Sequence, residues 1–143
     1  MIVTGSDVVA HARKYMGVRW AHQGRSPAGM DCAGLVIRVA QDLGLSEFNT
    51  TAYGRLPLAD RLQAIMREQC TELPGGVARA APGHCVLMKF ETDPQHLAFI
   101  GDHTHGLSLI HALMLSRKVV EHRMDPQWSG RVVAVYALPG VSY

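Results

Sequence analysis

Residues 26–40 read SPAGMDCAGLVIRVA, with a cysteine directly after an aspartate where a glycine-broken loop gives way to an apolar helical run. A thiol in the first turn of a helix feels the positive end of the backbone dipole, which favours thiolate and so favours a nucleophile. The plainer alternative for Cys32 is a small core residue, since free cysteine is among the most buried types. A nucleophilic thiol needs a base, and the base needs a partner to orient it. Eight histidines are available. His96 in QHLAFIG and His111 in LIHAL lie on apolar β-like segments, where a lone histidine is ordinarily a satisfied core residue. Strands joined through GDHTHGLS would pair antiparallel and bring these two near one another across the ladder, one as base and the other fixing its tautomer. His11 reads as a solvated helix position. His103 and His105 read as exposed turn residues whose HxH spacing lacks the carboxylate or cysteine company of a metal site. Cys70 and Cys85 read as core residues. Three cysteines without a CxxC spacing argue against a disulfide framework and against a cysteine-rich zinc site.

The elements that must position these residues follow from periodicity. A first helix is expected over residues 6–16, capped by Ser6 or Asp7, with Val8, Ala12, Tyr15 and Met16 on one face and Gly17 ending it. Residues 18–30 are loop-like, broken by Gly24, Pro27 and Gly29. A second helix starts at Asp31 or Cys32, because Cys32, Leu35, Val36, Val39, Ala40 and Leu43 recur with a helical period. Asp31 can accept the first orphan N–H groups there. A third helix runs from Leu58 to about Gln69, with Leu58, Leu62, Ile65 and Met66 on one side. The period then changes: CVLMKF, HLAFIG, LSLIHA, KVVEHR and RVVAVYAL are short, rich in branched residues and separated by turn signals. Helices followed by strands define an α+β chain with an antiparallel sheet, read as a single domain over residues 1–143.

Composition narrows the partners. The 143 residues are 48% hydrophobic and 18% charged, an ordinary globular balance. A formal net charge of +2 without a Lys/Arg run argues against a nucleic-acid partner. The opening MIVTGSDVVAHARKYMG is a poor secretory signal, and no apolar run approaches the roughly 20 residues of a membrane span, so no membrane insertion is expected.

The segment GVRWAHQGRSPAGMDCAGLV resembles the nucleophile region of the NlpC-type cell-wall cysteine peptidases, particularly the compact versions in phage tails and gene transfer agents. APGHCVLMKF, QHLAFIGD, SLIHA and KVVEHRMDPQWSGRVVAVYAL follow that family's sheet in order, so the resemblance covers the chain from about Ser6 to Leu138. It implies a papain-like fold and hydrolysis of peptidoglycan stem peptides, commonly at the bond between γ-linked D-glutamate and diaminopimelate or lysine. The family's nucleophile falls on Cys32, its base on His96 and its third polar residue on His111. No cofactor and no metal are implied. Trp20 stands where the family usually has tyrosine, Ala33 where serine is frequent, and His84 where an aspartate is usual.

The resemblance further implies delivery by a phage-like tail, after synthesis in the bacterial cytoplasm, to act in the target cell's periplasm with tail or tail-hub proteins as partners. The expected chemistry is a Cys32 thiolate paired with a His96 imidazolium, with the Cys32 backbone N–H as an oxyanion donor. Asp31 caps the helix, contacts a substrate amine, or does both. Trp20 is a substrate-groove wall or plain packing. A structural tail-hub component with a weak or inactive fold, and a related thiol amidase or acyltransferase, are the alternatives.

Overall fold

Thr4, rather than Ser6 or Asp7, starts the first helix. Its hydroxyl accepts the Asp7 N–H at 3.2 Å, and the Asp7 carboxylate accepts the Thr4 N–H at 2.9 Å. This reciprocal box satisfies two orphan donors at once, which a lone Ser6 or Asp7 cap would not. In the computed structural model of the chain, which describes residues 2–51, 61–90, 94–104 and 106–143, the box joins β1 (Val3–Thr4) to α1 (Gly5–Arg13). The helix ends before residue 16, and Met16 is exposed rather than on the core face that Val8, Val9, Ala12 and Tyr15 form. The cause is Gly17, left-handed at φ 85°, whose N–H bonds the Val119 carbonyl at 2.9 Å and turns the chain toward the sheet.

Residues 18–30 are loop apart from a tight hairpin of β2 (Arg25–Ser26) and β3 (Gly29–Met30). Next come α2 (Cys32–Asp42), which Asp31 caps, and α3 (Arg61–Gln69), which buries Leu62 and Met66. The Leu58 start expected for that third helix lies outside the described residues, as does His105. The remaining elements are β4 (Thr71–Glu72), β5 (Cys85–Lys89), β6 (Pro94–His103), β7 (Gly106–Leu113), β8 (Lys118–Arg123), the short α4 (Pro126–Ser129), β9 (Val132–Ala137) and β10 (Val141–Ser142). All five strands expected from the sequence are present. They form, with β4, an antiparallel sheet in the order β4-β9-β5-β6-β7-β8, while β10 returns to pair with β1.

Both faces of the sheet are covered, which is why its strands read as apolar runs rather than as alternating ones. Leu87, Leu97, Phe99 and Ile110 pack toward Val8, Leu35 and Val39 of the helices. Met88, Ala98, Ile100 and Leu109 form a second cluster on the other face with Trp128 and Met124.

One irregularity sets up the site. The β6–β7 ladder runs from His103 and Gly106 to Phe99 and Ile110 and stops there. Beyond it β6 still pairs with β5 as far as His96 and Pro94, and β7 still pairs with β8 as far as Leu113. The two strands therefore part at one end, leaving the Gln95–Leu97 edge of β6 without β7.

Candidate active site

The N-terminus of α2 fills that opening. The Cys32 thiol lies 4.0 Å from the Gln95 carbonyl oxygen, and the Leu97 N–H is directed at its sulfur, so the thiol rests on the backbone either side of His96. Its position is fixed from behind by Asp31, which is 3% exposed. One Asp31 carboxylate oxygen accepts the Gly34 N–H at 2.8 Å and caps the helix; the other accepts the Gln23 N–H at 2.6 Å and ties the preceding loop to the cap. Gly34 is glycine for a packing reason, since a Cβ there would sit 1.8 Å from the Gly24 carbonyl oxygen. The DCAG run thus encodes a cap, a thiol and a close approach of loop to helix.

His96 and His111 come together as the strand argument requires, with Nε2 of His96 2.6 Å from Nδ1 of His111. They do so diagonally, just past the end of the β6–β7 ladder, and are 6% and 0% exposed. The Phe90 ring lies 5.3 Å from His96, and Trp128 stands edge-on to His111 at 5.4 Å. This aromatic cover excludes water from the pair. The described hydrogen bond of His96 uses Nε2, which leaves Nδ1 as its other ring nitrogen.

The electrostatics differ from the expected thiolate–imidazolium pair. Burial pushes the Cys32 thiol up to about 12, and the Asp31 charge adds to the shift; N–H groups of Leu97, Ala33 and Cys32 pull the other way without cancelling it. Burial also holds His96 and His111 far below the ordinary imidazole value. Thiol and imidazoles alike are neutral at rest. The helix dipole that favours thiolate is outweighed by desolvation and by the carboxylate that caps the same helix.

Trp20 lies on a neighbouring segment. It bridges to Met30, two residues before Cys32, and its N–H bonds the Arg117 carbonyl at 2.8 Å. Its ring stacks on His22 at 6.4 Å and is half-buried against the core. His84 completes a turn, its Nδ1 accepting the Ala81 N–H at 3.1 Å as a carboxylate would, with Tyr143 packed on its ring at 4.4 Å. Cys85 is fully buried and Cys70 half-buried, with both thiols raised by burial.

Two site residues went unread in the sequence. His122, in KVVEHR, places its Nε2 2.8 Å from Nε2 of His111, and its Nδ1 lies 2.9 Å from the Arg123 carbonyl oxygen. Trp128, in DPQWSG, packs on His122 at 4.7 Å. The signal for His122 was its register: it pairs with Leu109, which puts it on the same sheet face as His111.

A helix-borne thiol set against an antiparallel sheet that carries its histidines is the architecture of the papain-like cysteine peptidase fold. Solved structures narrow the class to the NlpC/p60 fold. The chain superposes on the NlpC/p60 domain of the peptidoglycan hydrolase SagA with a TM-score of 0.68 at 20% identity, covering 95% of this chain and 100% of that one. An NlpC/p60 family protein from Bacillus cereus gives 0.71 at 13% identity; the match covers 97% of this chain but 41% of that longer protein. An N-acetylmuramoyl-L-alanine amidase from Bacteroides uniformis gives 0.62 at 13% identity, with 94% and 98% covered. No sequence-family model matches the chain, and no curated protein matches it.

Proposed function

We propose that this chain is a cell-wall hydrolase of the cysteine peptidase class that cleaves peptidoglycan stem peptides. The observation that carries the reading is the Cys32 thiol at a capped helix start, on the backbone flanking an imidazole whose far nitrogen is held 2.6 Å from a second imidazole. The likeness to solved peptidoglycan hydrolases supports the substrate class.

The neutral resting site shapes the mechanism. His96 Nδ1 takes the thiol proton as Sγ closes on the scissile carbonyl, so charge separation accompanies attack rather than preceding it. The Sγ–C bond forms, the amide C–N bond breaks, and His96 returns its proton to the leaving amine. Water, deprotonated by His96, then hydrolyses the thioester. The Cys32 N–H, at the first helical position and so without an intrahelical acceptor, is the proposed oxyanion donor.

The bond between γ-D-glutamate and diaminopimelate or lysine is the proposed target, and a phage-like tail the proposed carrier into the periplasm; both rest on the sequence resemblance. A second reading, cleavage at the lactyl–alanine amide, is favoured by the likeness to an N-acetylmuramoyl-L-alanine amidase. Mass spectrometry of diaminopimelate- and lysine-type muropeptides treated with wild type and Cys32→Ala tests the hydrolase reading and the bond. Fragments formed by wild type alone are expected, and their masses assign the bond. No fragments from either protein would overturn the hydrolase reading. Co-purification with tail particles tests the carrier, and its absence from them would remove that part.

A further inference from the structure

The third imidazole raises a question that the Cys32–His96–His111 set does not answer. Three rings lie in line, His96 Nε2 to His111 Nδ1 at 2.6 Å and His111 Nε2 to His122 Nε2 at 2.8 Å, and the line ends on the Arg123 carbonyl oxygen, 2.9 Å from His122 Nδ1. A carbonyl oxygen only accepts, so His122 Nδ1 carries a proton and, in the neutral ring, Nε2 does not. His111 Nε2 must then donate to it, which leaves His111 Nδ1 bare. His96 Nε2 must donate in turn, which leaves His96 Nδ1 bare. One backbone carbonyl thereby fixes three tautomers, and the last of them has the unprotonated nitrogen that a thiol's base requires.

We propose that His122 is a positioning residue that sets His96 in its base-competent tautomer through His111 and receives the positive charge when Cys32 is deprotonated. This rests on the reading of Cys32 as nucleophile and His96 as base. The proton count closes along the line. The Cys32 S–H bond breaks and a His96 Nδ1–H bond forms; the His96 Nε2 proton passes to His111 Nδ1; the His111 Nε2 proton passes to His122 Nε2. The product is a Cys32 thiolate, two neutral inner rings and a His122 imidazolium donating to the Arg123 carbonyl. His122 is the half-exposed member, while His96 and His111 are buried, so the charge moves from where it is poorly solvated to where water reaches it. Reversal of the same shifts returns the proton to the leaving amine.

The groups facing His122 are His111 from β7, Trp128 from α4 and, across the indole, Arg131, whose guanidinium carbon lies 5.1 Å from the Trp128 ring. Glu121 and Arg123 flank it on its own strand, and Glu121 is bonded on the opposite face to Arg13. A charge on His122 also disfavours a second one on His96 or His111.

The test uses the full chain labelled with 15N-histidine, in wild type, His122→Phe and His122→Gln. Phenylalanine keeps a ring against Trp128 but offers His111 no acceptor; glutamine offers an amide oxygen. Imidazole 15N NMR should find His96 protonated at Nε2 in wild type, a mixture of tautomers in His122→Phe, and recovery in His122→Gln. The rate of Cys32 alkylation should fall about tenfold in His122→Phe, since a wrongly protonated base cannot accept the thiol proton, and its pH dependence should shift. An unchanged His96 tautomer in His122→Phe, or loss of the wild-type tautomer in His122→Gln if the phenylalanine variant does not fold, would overturn the proposal. So would unchanged alkylation. Neither readout needs turnover, so an inactive wild type on muropeptides would count against the hydrolase reading and leave this test decisive by itself.

Discussion

Glu121 and His122 are neighbours on β8, yet they belong to polar clusters built on opposite principles. On the helix face the Glu121 carboxylate accepts from Arg13 Nε at 2.9 Å and Nη2 at 2.8 Å, and from the Ser108 hydroxyl at 2.7 Å. Full charges are matched and held, and the Arg13 bonds keep Glu121 below the usual carboxylate range despite its burial. On the other face His122 extends a line from His96 and His111, the two imidazoles that burial keeps neutral. The first cluster pins α1 to the sheet and has no proton to move. The second has bonds of similar length, but those between imidazoles can reverse direction by shifting a proton. Fixed charge stabilises the frame; movable protons equip the site.

The largest effects that separate the two clusters should be on activity. Cys32→Ala should abolish muropeptide cleavage, and His96→Ala should lower kcat by about a thousandfold, within the range general-base removal produces. Glu121→Gln should leave the rate per folded molecule within about twofold, because its cluster touches neither the thiol nor the imidazoles. Assays at matched folded fraction check this. A Glu121→Gln loss as deep as that of His96→Ala would erase the distinction.

Stability should invert the ranking. Glu121→Ala strands the fully buried Ser108 hydroxyl and leaves Arg13 with Asp102 as its remaining carboxylate partner, at a cost of about 2–3 kcal/mol by urea unfolding. His122→Phe, which keeps the ring packing on Trp128, should cost less, about 1 kcal/mol.

The clusters should also fail at different pH. Neutral His96 and His111 have depressed folded-state values, so the unfolded chain binds more protons once pH falls below about 6.5. Their contribution is complete above that value and is lost progressively as pH falls toward the folded value, about 3 for His96. Glu121, also depressed, holds its contribution above about pH 4.3 and loses it only below. The unfolding free energy should therefore decline between about pH 6.5 and 4.5 at about 1–2 kcal/mol per unit. Glu121→Gln should leave that decline intact, and His96→Gln should flatten it. A decline that begins only near pH 4 would mean that the imidazoles are not neutral in the folded chain.

The comparison also explains what the sequence could and could not disclose. Periodicity located α2, its Asp31 cap and all five long strands, because those depend on neighbouring residues. It located His96 and His111 as a pair because a short turn joins their strands. It passed over His122 because that assignment needs the β7–β8 register, set by the turn at residues 114–117, where Arg117 is left-handed at φ 61°. It placed the first cap on Ser6 or Asp7 because a capping box shows only when both partners are considered. It expected a thiolate because the helix start is visible in sequence and the depth of the sulfur is not. Local signals were legible. Desolvation and register, which arise from packing between distant segments, were not.

Asp31 lies between the two designs and offers the smallest and sharpest test. It is a buried carboxylate like Glu121, but backbone N–H groups hold it and its charge bears directly on the thiol. Asp31→Asn keeps the oxygen that caps Gly34 and turns an NH2 group toward the Gln23 N–H, donor against donor, so about 1–2 kcal/mol of stability should be lost. The same change removes the charge that raises the Cys32 thiol, so its pKa should fall by about half a unit to one unit, raising the thiolate fraction by threefold to tenfold at a given pH. Cys32 alkylation followed across pH 7–10 reads this directly, with Cys70 and Cys85 in the same molecule as controls. A faster Cys32 in a less stable protein would mean that the cap which positions the nucleophile also restrains it. An unchanged rate would mean that burial alone sets the thiol and that Asp31 is purely structural, as Glu121 is.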